Sequence, residues 1–148
     1  MGTMNNRKFF LAPVVLLAVI LAGCGKIDTA TNRLVATNSP QAINQQGVAS
    51  LTFNVYWAWQ DAGNLPASGM TVNFKATNGS CTSSAVTDAK GNVTCVFTTS
   101  DPYSFEGATV TAYMKHLSNS TEYSTEEMGG DITAEAVVFR CSGPASQK

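Results

Sequence analysis

Three features of the sequence predict an all-β fold, an immunoglobulin-like β-sandwich of about seven antiparallel strands preceded by a cleaved signal helix. Apolar and polar residues alternate at period two through much of the chain beyond residue 33, the spacing that turns one face of a strand toward a core. Clusters of Gly, Pro, Asn and Asp separate those stretches, and these residue types close turns. No amphipathic helical pattern interrupts them. Short strands with frequent turn signals over roughly 110 residues make the pattern of a sandwich.

The N-terminal segment has the parts of an export signal: basic Arg7 and Lys8, an apolar run from Phe9 to Ala22, then small residues before Cys24. That run contains Pro13 and is shorter than the roughly 20 apolar residues that span a bilayer as a helix. It is therefore expected to be removed. It ends in Leu21-Ala22-Gly23-Cys24, which resembles the lipobox of bacterial lipoprotein precursors. The resemblance implies lipidation of Cys24 and cleavage before it. Burial of acyl chains contributes about 0.8 kcal/mol per CH₂, and two or more chains anchor stably. Gly25 stands where inner-membrane retention typically has Asp, so the resemblance favours the outer membrane.

The expected organisation is a signal peptide over 1–23, a lipidated tether over 24–32, a sandwich over 33–141 and a tail over 142–148. Past the cut, seven basic residues face ten acidic ones, a net charge of −3. This balance argues against nucleic acid or an anionic surface as the main partner.

Along the sandwich, a short strand is expected near Leu34-Val35. Leu51, Phe53, Val55 and Trp57 then occupy alternate positions, and Trp59 extends that face. Val72, Phe74 and Ala76 alternate next, followed by a short strand at Ala85-Val86-Thr87. Val93, Cys95 and Phe97 repeat the pattern, as do Val110, Ala112 and Met114. The last strand, Ile132 to Phe139, is apolar on both faces near its end through Val137, Val138 and Phe139. Turns are expected at Asp61 to Pro66, Asn78-Gly79, Asp88 to Asn92 and Asp101-Pro102.

The succession Gly47-Val48-Ala49-Ser50-Leu51-Thr52-Phe53, Pro66-Ala67-Ser68-Gly69-Met70-Thr71-Val72-Asn73-Phe74 and Thr87-Asp88-Ala89-Lys90-Gly91-Asn92-Val93-Thr94 resembles bacterial Ig-like domains of the invasin and intimin type (group 1, Big-1). The likeness covers about Leu34 to Arg140. In that family such domains usually stand in tandem on surface adhesins, whereas this sequence contains one and no internal repeat.

With Cys24 lipidated, Cys81, Cys95 and Cys141 remain. Cys81 and Cys95 flank the turn at Asp88 to Asn92 and are the favoured disulfide, with Cys95 and Cys141 as the rival pair. Closing a loop of this length contributes about 3 kcal/mol in the chain-entropy model. An unpaired Cys141 offers a covalent route to a dimer. No metal site is expected, because the cysteines lack ligand spacing and the only histidine is His116.

Trp57 and Trp59 are candidates for partner contact, although their place after Leu51, Phe53 and Val55 favours a core role. Leu117 to Asp131 is the longest stretch without strand character. Read as a loop between the last two strands, it makes Tyr123 and Met128 further contact candidates. No nucleophile elbow, phosphate loop or paired-carboxylate motif is present. The sequence thus predicts no enzyme and no cofactor. It points to a membrane-anchored module for protein recognition or adhesion in the envelope or on a cell surface. The alternative is an accessory structural lipoprotein of a secretion, conjugation or pilus machine.

Overall fold

The computed structural model describes residues 28–60, 62–120 and 125–140. Ten strands run in chain order: β1 Thr29–Ala36, β2 Gln41–Ile43, β3 Val48–Trp59, β4 Gly63–Pro66, β5 Thr71–Ala76, β6 Ser80–Cys81, β7 Ser84–Val86, β8 Asn92–Thr98, β9 Ala108–Ser120 and β10 Glu126–Arg140. The expected seven become ten with the addition of β2, β4 and β6, pieces of two to four residues; β4 takes up Gly63 to Pro66, which the sequence reads as part of a turn. Segments that short carry too few residues for an alternation to register.

One layer has the order β1-β3-β8-β6, with β4 on the end of β3. The other has β7-β5-β9-β10-β2. All pairings are antiparallel except β2 with β10, where Gln41, Ala42 and Ile43 run parallel to Val138, Phe139 and Arg140. The chain therefore lies in one layer as β1 and crosses to the other as β2. This strand switch, with two antiparallel layers about one core, makes the fold an immunoglobulin-like sandwich.

The alternating residues meet between the layers. Leu51, Phe53 and Val55 of β3 and Val93, Cys95 and Phe97 of β8 are buried against Val72 and Phe74 of β5, Val110 and Ala112 of β9, and Ala136 and Val138 of β10. The Phe53 and Phe74 rings bridge the layers at 5.5 Å. Burying such a side chain contributes roughly 1.5–3 kcal/mol, so this alternation carries most of the cohesion.

Two expectations are corrected. Thr29 to Asn32 are not tether but the start of β1, paired through Ala30–Asn32 with Trp59 to Trp57 on one side and through Thr29–Thr31 with Ser120 to Ser118 of β9 on the other. Polar residues serve there because the strand end holds by backbone pairing and by Asn32, whose buried amide donates to Lys115 O and accepts from Leu117 N, both at 2.8 Å. Leu117 to Asp131 is likewise no long loop. β9 continues to Ser120 and β10 begins at Glu126, forming a hairpin arm paired from Ser118 with Glu126 inward. Its residues are polar because it stands outside the core, so the alternation that marks a half-buried strand is absent.

Candidate recognition surface

Antiparallel pairing gives the sandwich two distinct poles. At one lie the start of β1, the end of β3, the end of β9 and the start of β10; at the other lie the end of β10, the start of β9 and the loop 99–107. The sequence-derived contact candidates that fall on described residues all lie at the first.

Trp57 stands opposite Asn32 of β1 and Leu65 of β4 and is packed partly against the core. Trp59 lies one step further out, opposite Ala30 and Gly63, with its Nε1 buried and without a hydrogen-bond partner among the described residues. Met128 is exposed in a bulge between Glu127 and Asp131, where Gly129 and Gly130 both have positive φ. Lys115 reaches back to Glu127 at 3.1 Å and to Asp131 at 3.6 Å. Its ammonium pKa is raised, first by the hydrogen bond and charge of Glu127 and then by Asp131. Cys24, Tyr123 and Cys141 lie outside the described residues.

The opposite pole carries a surface that the sequence reading passed over. Asp101 organises the loop, its carboxylate accepting from Tyr103 N and Ser104 N at 3.2 Å and from Ser104 Oγ at 2.5 Å. These bonds, led by the Ser104 hydroxyl, hold the Asp101 pKa below the usual carboxylate range. Phe105 pins the loop from beneath, buried with its ring 5.6 Å from that of Phe97. Arg140 Nη1 donates to Tyr103 O at 2.5 Å and ties the loop to the end of β10.

Ser104, Phe105, Glu106, Phe139 and Arg140 line an open cleft of about 640 Å³. Tyr103 beside it is 79% exposed, and Val137 and Phe139 are exposed on β10. Exposed Tyr, Phe and Arg on a rigid frame are the chemistry of protein interfaces. Two signals were present in the sequence. Asp101-Pro102 leads straight into an aromatic residue, and Val137-Val138-Phe139 breaks the alternation so that one face or the other exposes bulky apolar groups.

His116 sits half-buried on β9, and among the described residues no three His, Cys, Asp or Glu side chains gather as metal ligands. No helix among them is long and apolar enough to cross a membrane.

The sequence matches no family model and no curated protein. Two solved structures resemble its fold. The chain is similar to intimin domains. It is 19% identical to a structure of the D0-D1 domain of intimin, with a TM-score of 0.40, covering 75% of this chain and 48% of that one. With the D00-D0 domain of intimin the identity is 16% and the TM-score 0.40, covering 74% and 47%. The chain thus spans about half the length of either structure.

Proposed function

We propose that this chain is a lipid-anchored, non-catalytic recognition module of the bacterial envelope, and that the pole carrying Tyr103, Phe139 and Arg140 is its contact surface. The observation that carries the proposal is polarity. β1 begins at Thr29, five residues after the lipobox-like Cys24, and at full extension five residues reach only about 17 Å. An anchor on Cys24 therefore holds the pole of Trp59 and the hairpin arm beside the bilayer. The twelve residues of β3 extend about 40 Å, so the cleft pole stands out from the membrane, available to a protein partner. Gly25 after the lipid site supports the outer membrane as the location.

Two experiments test this reading. Cys24→Ser is expected to release the protein from membranes; unchanged partitioning rejects the anchor. A photo-crosslinking residue placed at position 103 in intact cells is expected to give a defined protein adduct, whereas one at position 128 is not. Adducts from position 128 alone would reverse the assignment of the poles.

A further inference from the structure

The edge strand β6 places the half-buried Cys81 diagonally across from the buried Cys95 of β8. Cys81 is opposite Phe97 in the β6–β8 register, and Cys95 is the next inward residue along β8, itself opposite Leu51 of β3. Cys81 is packed against the core cluster to which Cys95 belongs. Both are thiols in the structure.

Bonds on either side clamp Cys81 in that position. Ser80 Oγ meets Thr98 Oγ1 at 3.0 Å. Thr82 N donates to Val96 O at 3.1 Å, and Val96 N donates to Thr82 Oγ1 at 3.2 Å. Gly79, at φ +96°, lets the preceding turn lie so close that a Cβ there would meet Phe97 Cζ at 2.6 Å. The turn that delivers Cys81 is thus built against the residue two positions from Cys95.

We infer that Cys81 and Cys95 are an oxidation site, closed in the exported protein as an intrachain disulfide by exchange with an incoming disulfide. Two thiols each lose a proton and together pass two electrons to that disulfide, which leaves as two thiols. The inward movement needed to reach an S–S distance of about 2.05 Å falls on the two-residue edge strand β6 and leaves β8 in place. Burial, then the neighbouring Cys81, push the Cys95 thiol up to about 12, so Cys95 is no first nucleophile. Cys81 attacks the incoming disulfide and forms the mixed disulfide; Cys95 then attacks the Cys81 sulfur and expels the second thiol. Cys141 has no part in the pair.

Non-reducing peptide mapping of the full mature chain, purified from the envelope with thiols blocked at lysis, tests the pairing. The expected result is one Cys81–Cys95 cross-linked peptide, lighter by two hydrogens than its reduced parts. Blocking label on both residues, or Cys81 or Cys95 joined to Cys141, overturns the proposal. The order of attack has its own test with oxidised glutathione. Folded Cys95→Ala is expected to trap a glutathione adduct on Cys81, and folded Cys81→Ala to leave Cys95 unmodified until denaturant is added. Rapid modification of Cys95 in the second variant rejects that order.

Discussion

Leu117 N donates to Asn32 Oδ1 at 2.8 Å across 85 positions of sequence, and the Asn32 amide returns a bond to Lys115 O at the same length. One buried side chain thus stands in for a stretch of strand pairing and fastens β1 to the hairpin arm. Asn32→Leu leaves a donor and an acceptor without partners, at about 1–3 kcal/mol for each group that stays dry. The expected result is a lower denaturant midpoint together with faster hydrogen exchange at Leu117. An unchanged Leu117 exchange rate would show that this bond holds nothing.

The arm is part of the fold. Ser118 to Ser120 pair with Thr31 to Thr29, so deleting Ser118 to Met128 exposes one side of the first turn of β1. Hydrogen exchange at Thr29 to Thr31 is expected to rise toward that of unstructured chain, while the core amides of β8 keep their protection. Retained protection at β1 would mean that pairing with β3 alone suffices.

Gly91 and Gly63 share a φ of +77° but differ in what surrounds them. A Cβ on Gly91 would lie 2.2 Å from Val55 O, whereas one on Gly63 meets nothing within 4 Å. Gly63→Ala is expected to cost about 1–2 kcal/mol for the left-handed backbone alone. Gly91→Ala should cost distinctly more, since Val55 N also donates to Gly91 O and the backbone there has no room to shift. Equal midpoints for the two variants would remove close approach as the reason for Gly91.

Asp101 makes the order of the cleft loop dependent on pH. Its folded-state pKa is depressed, so its contribution is present above the ordinary carboxylate value of about 3.9 and is lost as pH falls through the depressed one. The backbone resonances of Tyr103 and Ser104 are expected to move together in that acid range. Asp101→Asn should abolish the movement; its persistence would assign the titration to another group.

The core and its strands were legible in the sequence because burial leaves a periodic mark. Leu51, Phe53 and Val55, or Val93, Cys95 and Phe97, alternate because one side of each strand must be dry. Turns such as Asp88 to Asn92 were legible because Asp88 Oδ1 accepts from Lys90 N and Asn92 N, a local bond available to few residue types. The hairpin arm and the start of β1 were not legible. They are held by long-range pairing and by Asn32, and neither leaves a repeating apolar signal.

The sequence by itself determined the sandwich class, its buried faces and turns such as Asp88 to Asn92, because local spacing dictates which groups leave water. It also supplied the lipobox-like Leu21 to Cys24, from which the anchor is proposed. Tertiary structure alone decided that Tyr103, Phe139 and Arg140 form one surface and that this surface lies opposite the start of β1. It also decided that Cys81, on β6, lies diagonally across from Cys95 on β8. Each of these depends on strand register and on which layer a strand joins, and register is fixed by the whole core rather than by any single segment.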